Sequence, residues 1–538
     1  MIHLRPLGIA LTLAAAPALT WARQEPKPGS SWYEDKTDLG FKVRAPKDWE
    51  FVPGSPLETN LIGKYADPGE GKYVSLGKDA EIIAEVILVK FDRRKKGDEK
   101  DKKDDSGEGL TDVGLWVERA LDEGEAWHRV EGPTPLKCAV PEASFSIYEG
   151  KSNRVSSEDA VAQPVSAYVA KFPLGSQLDV ALIGLGPAGK KWRSYESAYA
   201  SLAKTIQPLA VGSVASAPAA AGKDPRSARR AKLQADIAKT PGWSLYETPN
   251  YFIVSCYDDK QFIEELKLRL EAIRTVYEKD YPPSLARRIK PHTAADEAEQ
   301  HDPPEAPESE PRTAAAPLPI DALELGRNSV VRLCKDSGQY HQYGGPETSS
   351  GYFSSEEEEL VIYDDKQDEG RAHTWSVLNH EGFHQYIHAY FGNLSPHSWY
   401  DEGTGDYYSG FEFNLKTKKF TPKKEGGRQD NLLLIRDNYV PLKDFVRWTQ
   451  AQYYGENRGG IAGTKLEGWA CYAQGWSLIW FLRTGDGKAK GWQKEWGSLL
   501  DKYLETLLET GNLDQALDKA FQGIDWNALQ ESWSGHMM

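Results

Sequence analysis

The sequence predicts a chain of mixed α/β and α+β class in two domains, and three observations carry that prediction. At 538 residues the chain is several times the length one hydrophobic core usually serves. Residues 30–208 are patterned as strands closed by a helix, whereas 229–538 open on a few strands and become predominantly helical. Between them lies a linker over 209–228. Its stretch Val211–Pro225 is Ala, Ser, Gly and Pro with almost no bulky residue, so nothing there buries enough area to offset chain ordering. Hydrophobic residues make up 40% of the chain and aromatic residues 11%, with 17 Trp, which suits ordered domains.

Residues 1–22 read as a cleavable export signal. His3 and Arg5 sit in a short polar start, Leu7–Ala18 is apolar but too short to span a bilayer, and the polar run Arg23-Gln24-Glu25-Pro26 follows abruptly. The mature protein is expected to be secreted or periplasmic. Nothing later is apolar for 18 consecutive residues, so no membrane span is expected.

A net charge of -15 disfavours nucleic acid, which demands clustered Lys and Arg. The densest basic run, Arg93-Arg94-Lys95-Lys96, flows into acidic residues and reads as a solvated loop. The four cysteines, Cys138, Cys256, Cys334 and Cys471, are too few and scattered for a disulfide scaffold. Cys256 and Cys334 each end a strand-like run, which leaves open a bridge between neighbouring strands or two free thiols.

In the first half, Gly40–Arg44, Glu81–Phe91 and Gln177–Leu185 are expected strands. Trp192, Tyr195, Tyr199, Leu202 and Ile206 recur at helical spacing and mark a closing helix. The opening Phe41-Lys42-Val43-Arg44-Ala45-Pro46-Lys47-Asp48-Trp49, a strand running into a Pro-x-x-Trp turn, resembles the start of PsbP/Mog1-like domains, and the closing strand-then-helix order is similar. The resemblance implies an α/β sandwich used for binding or docking, with a protein or wall component as partner.

In the second half, the expected strands are Asn250–Cys256, Ser329–Leu333 and Glu359–Tyr363. A helix carrying Phe262, Leu266, Leu270, Ile273 and Tyr277 follows the first of them. Residues 293–319, rich in Pro, Ala and Glu, read as a disordered insertion. From about Leu432 the pattern is helical and rich in Trp and Leu.

His380-Glu381-Gly382-Phe383-His384 is an H-E-x-x-H sequence flanked by Trp375, Leu378, Tyr386, Ile387 and Tyr390 at the spacing of a buried helix. Positions four apart lie one above the other, so both imidazoles project from one face and can share a Zn²⁺ ion. Glu381 follows the first ligand but aims differently, where it can act as a general base toward water. A catalytic zinc needs a third protein ligand. Trp399-Tyr400-Asp401-Glu402-Gly403-Thr404-Gly405-Asp406-Tyr407-Tyr408 offers Glu402, with 17 residues between it and His384.

These two segments together resemble the gluzincin peptidases of the peptidase MA-like clan, in which a Trp-x-x-Glu-Gly segment on a second helix supplies the third ligand. The resemblance spans most of 240–538 and implies a zincin-like fold of small sheet, active-site helix and helical C-terminal subdomain, hydrolysing peptide bonds of a peptide or protein substrate. It further implies that Asp406, four residues after Glu402, accepts the other ring N–H of a ligand histidine, His380. A Tyr near the developing oxyanion is also implied; Tyr472 is the candidate, with Tyr453 and Tyr454 behind it. His373 and His388 are read as supporting residues rather than ligands. No Gly-x-Met-Glu-Asn segment for a free amino terminus is found, which favours endopeptidase action. Two alternatives stay open: a zinc-binding recognition protein without turnover, and a zinc hydrolase of a non-peptide carbonyl bond.

Overall fold

The computed structural model describes residues 25–55, 58–66, 73–75, 81–83, 85–94, 112–121, 127–152, 163–210, 225–288, 318–319, 328–346, 349–366, 369–392, 394–454 and 468–538. The expected export signal, residues 211–224 of the expected linker and residues 293–317 of the expected insertion lie outside the described residues. The chain divides into two units, one of residues 1–51 and 60–212 and one of residues 52–59 and 213–538. Both combine sheets with helices, so the class is mixed α+β. No described helix is long and apolar enough to cross a membrane.

In the first unit β1 (Pro28–Asp35) and β2 (Phe41–Pro46) pair antiparallel, Tyr33 opposite Val43. The turn between them is held by the Asp35 carboxylate, which accepts the backbone N–H of Thr37, Asp38 and Leu39 at 2.9–3.3 Å. A larger antiparallel sheet is built from β3 (Leu61–Ala66), β4 (Glu85–Asp92), β5 (His128–Pro135), β6 (Ser144–Ser152), β7 (Gln163–Gly175) and β8 (Leu178–Pro187). These strands lie in the order β3-β4-β8-β7-β6-β5. All ten residues of β8 are buried. It pairs on both sides, with β4 and β7, and such a strand reads as a continuous apolar run.

Helix α1 (Val113–Ala120) is capped by Asp112, which accepts the N–H of Gly114 and Leu115. Helix α2 (Trp192–Ala203) lays Trp192, Tyr195, Tyr199 and Leu202 into the core. Ile206, expected on this helix, is buried just beyond its end. The Tyr199 ring sits where a side chain at Gly184 would be: a Cβ there would meet it at 2.2 Å.

The second unit starts with α3 (Pro225–Ile237), which corrects the expected linker end at 228. Pro suits a first helical turn because its missing N–H would have had no partner there. A five-stranded sheet follows from β9 (Ser244–Glu247), β10 (Tyr251–Ser255), β11 (Ser329–Cys334), β12 (Gly351–Ser354) and β13 (Glu359–Tyr363), in the order β9-β10-β11-β13-β12. The central three are parallel and the two edges antiparallel. Alternation sorts the sheet's side chains. Ile253, Val331, Leu333, Leu360 and Ile362 pack with helix α4 (Lys260–Asp280) and the motif helix, while Phe252, Val254 and Val330 pack with Leu233 and Trp243.

Leu318–Pro319, expected inside the insertion, instead pairs with Arg287–Arg288 as a short antiparallel ladder. Cys256 and Cys334 follow the paired Ser255 and Leu333 on neighbouring strands and are both free thiols, with Gln339 Nε2 at 3.0 Å from the Cys256 sulfur. The C-terminal part is a helical body with Trp399, Trp476, Trp496 and Trp533 wholly buried in one core.

Candidate metal centre

Helix α5 (Arg371–Phe391) carries the motif. It has no proline and buries two of its faces: Trp375 and Leu378 against the sheet, and Phe383, Tyr386, Tyr390 and Phe391 in the helical core. The remaining face is thereby left for His380, Glu381, His384 and His388, which line a cavity of ≈ 290 Å³. Tyr277 anchors the helix from behind through its hydroxyl, which donates to the Asn379 carbonyl at 2.6 Å.

After Gly392 (φ 78°), a conformation that costs glycine little, the chain turns back into α6 (Ser398–Ser409). This helix is buried almost throughout and packs on α9 (Gly468–Thr484), a helix separated from it by α7 (Gly426–Leu434) and the short α8 (Gln450–Tyr454). Gly403 explains how closely it packs. A Cβ there would lie 2.7 Å from the backbone carbonyl of Gly475 on α9, so the two helices touch backbone to backbone. A Cβ at Gly405 would crowd the His380 ring at 3.0 Å.

Three donor atoms converge. His380 Nε2 and His384 Nε2 are 3.0 Å apart, and Glu402 Oε2 lies 3.2 Å from the first and 3.6 Å from the second. Bonds of 2.0–2.1 Å to a tetrahedral zinc give ligand–ligand edges of about 3.3–3.4 Å, so these atoms already outline one face of such a tetrahedron. The far side of each ring is held by its own carboxylate. His380 Nδ1 meets Asp406 Oδ1 at 3.0 Å and His384 Nδ1 meets Asp401 Oδ1 at 3.1 Å. A proton on each Nδ1 directs both Nε2 lone pairs at the common point.

The surroundings of the two histidines favour positive charge. Burial disfavours charge on His380, yet the hydrogen bonds that its ring N–H groups donate to Asp406 and Glu402 outweigh it and lift its pKa to about 9. His384 is likewise raised well above the ordinary value, against burial, by Asp401 and Glu402. Glu402 is held well below the carboxylate range: burial opposes its ionisation, and the two histidines more than reverse that. The same charge pattern that retains protons here would favour a divalent cation, which would compete with them. Glu381 behaves differently, because burial pushes its pKa up while the charges of His380 and His384, and less so a hydrogen bond from the Phe353 backbone N–H on β12, oppose the rise.

The three candidate tyrosines take different places. Tyr472 lines the cavity. Tyr453 is turned inward, its hydroxyl donating to the Cys471 carbonyl at 3.1 Å. Tyr454 donates to Glu402 Oε1, the oxygen not facing the histidines. His388 lines the cavity with its ring 5.4 Å from that of Phe353 and belongs to neither group of potential ligands. His373 sits at the start of α5 with Asp365 and Glu369, one ligand atom from each lying within 4.8 Å of the others, and its ring is 3.3 Å from Glu369.

Two residues at the site are missing from the set the sequence singles out. Asp401 is adjacent to Glu402, and its signal is a second carboxylate opening the same helix. Arg428, which grips Asp406, lies beyond an intervening hairpin of Glu412–Asn414 and Lys419–Thr421 and carries no local signal.

The chain matches no protein-family model and no curated protein. Among solved structures, 13 chains match. One of these is the crystal structure of LpqN, involved in cell envelope biogenesis of Mycobacterium tuberculosis; it is 12% identical, covers 33% of this chain and 87% of its own, and has a TM-score of 0.20.

Proposed function

We propose that the second unit is a zinc-dependent metallopeptidase of the gluzincin type, in an exported protein whose first unit is a PsbP/Mog1-like α/β sandwich that binds a protein or wall component. The observation that carries the reading is the triangle of His380 Nε2, His384 Nε2 and Glu402 Oε2, with edges of 3.0, 3.2 and 3.6 Å, on the wall of a cavity that Glu381 shares. His380, His384 and Glu402 hold the ion, and Asp406 and Asp401 fix the rings. Zinc, when bound, supplies Lewis-acid polarisation of the scissile carbonyl and acidifies water.

The chain's own residues supply the proton transfers. Glu381, made more basic by burial, takes the proton from the attacking water and passes it to the leaving amine. Tyr472, on the cavity wall, is the candidate donor to the developing oxyanion. The Tyr454 hydroxyl occupies one oxygen of Glu402 and leaves the other for the ion. Peptides are the expected substrates, cut internally.

The test is metal content by mass spectrometry alongside hydrolysis of a casein-like protein, a mixed peptide library and amino-acyl esters, for wild type and Glu381→Gln. One zinc per chain in both forms, with hydrolysis falling about 10²–10⁴-fold in the variant, is the expected result. Equal cleavage by both forms, or cleavage of esters alone, rules the peptidase reading out. Zinc binding without turnover by wild type leaves a recognition protein.

A further inference from the structure

Behind His380 stands a chain of contacts that reaches a helix with no other part in the site. Helix α7 buries only Leu432 among its nine residues, so it adds little to the core. From its first turn the Arg428 side chain, half-buried, reaches Asp406. Nε donates to Oδ2 at 2.7 Å and Nη2 donates to Oδ1 at 3.1 Å, while Oδ1 also faces His380 Nδ1 at 3.0 Å. A carboxylate gripped at both oxygens cannot swing about its own axis, and the imidazole hydrogen-bonded to it inherits that orientation. The guanidinium carbon also lies 5.0 Å from the ring centroid of Tyr472, the tyrosine on the cavity wall.

We propose that Arg428 is a positioning residue of the metal centre: one guanidinium pins the Asp406 carboxylate that orients His380 and seats the Tyr472 ring beside the cavity. The proposal rests on the zinc reading above. A structural ion pair would fasten α7 to α6 and do nothing for the ion. A positioning residue changes how tightly the ion is held, and does so through Asp406.

The experiment measures zinc affinity of the full chain by competition with a chelator, for wild type, Arg428→Met, Asp406→Asn and the double variant, with thermal melting of the zinc-free forms alongside. Loss of a group that orients a ligand typically costs 10–100-fold in metal affinity, and Arg428 stands one contact further out. Arg428→Met is therefore expected to weaken zinc about 10-fold. In the Asp406→Asn background the same change is expected to add less than about twofold, since the partner it acts through is already altered. Arg428→Gln, which keeps length and one donor, serves where the methionine variant does not fold, and is expected to weaken zinc by about threefold or more. Wild-type affinity in a folded Arg428 variant, or effects of Arg428 and Asp406 that simply add, overturns the proposal while leaving the zinc reading intact. A wild-type chain that takes up no zinc sinks both, so the two failures are told apart in the wild type.

Discussion

In the first unit aromatic rings lie on glycines of the sheet: Tyr199 of α2 covers Gly184, and Trp127, just before β5, covers Gly150. In the second unit the decisive contact is glycine on glycine, Gly403 of α6 against Gly475 of α9. Buried within a few residues of Gly403 are Glu402, Thr404 and Asp406. The first unit's buried Asp35, Glu85 and Asp179 are separated along the chain, and none of them falls in a group of potential metal ligands among the described residues. The same small residue can serve packing alone or can bring a charged helix close enough to face another. What separates the two cases is the residue beside the glycine.

Adding one methyl group at each kind of contact puts that difference to the test. Gly403→Ala places a Cβ 2.7 Å from the Gly475 carbonyl, where backbone rather than a movable side chain stands in the way. The helices must separate, at a cost of about 3 kcal/mol in the stability of the second unit. Because Glu402 is the preceding residue, zinc affinity is expected to fall more than about 10-fold. Denaturant unfolding and chelator competition check the two effects separately. A variant that is destabilised but binds zinc like wild type breaks the link between the helix contact and the site.

The matching change in the first unit is Gly184→Ala. Its Cβ would overlap the Tyr199 ring at 2.2 Å, and the Tyr199 hydroxyl is tied to the Leu185 carbonyl, so the ring has little room to yield. About 2 kcal/mol of that unit's stability is the expected loss, read as an earlier unfolding transition. Zinc affinity is expected to stay within about twofold of wild type. A larger loss of zinc would mean that the first unit's packing bears on the metal centre.

How much of this is open to a reader of the sequence depends on distance along the chain. His380, Glu381 and His384 are legible because helical spacing is a local property, and Asp406 only through the resemblance that the Glu402 segment carries. The strand β8 is legible because a strand buried on both faces leaves an apolar run, Val180-Ala181-Leu182-Ile183. Helix α1 does not stand out: it has eight residues and follows a long charged stretch. Tyr472 is put ahead of Tyr453 and Tyr454 by the resemblance alone, since spacing does not say which hydroxyl reaches Glu402 and which a backbone carbonyl. Arg428 is beyond reach altogether. Its meeting with Asp406 is set by the path of a hairpin and the packing of α7 on α9, neither of which has a periodic signature.

Within the second unit, buried histidine alone does not make a site. His397 opens α6 with its Nδ1 at 2.8 Å from the Tyr503 hydroxyl, which also accepts the His397 backbone N–H at 3.0 Å. Burial lowers its pKa from 6.5 to about 4; the charge of Asp514 works against that shift and Arg447 with it. His380 and His384, each with carboxylates on the ring, move the opposite way. A histidine harder to protonate folded than unfolded contributes stability that is whole above the unfolded value and is lost as the pH falls toward the folded one. Between pH 6 and pH 5 that loss amounts to about 1 kcal/mol. His397→Asn keeps an acceptor near Nδ1 but does not titrate, so the zinc-loaded variant is expected to lose about 1 kcal/mol less than wild type over that interval in denaturant unfolding. Identical slopes for the two proteins would place the charged ring in water rather than in the core, and would remove the contrast between this histidine and the pair at the cavity.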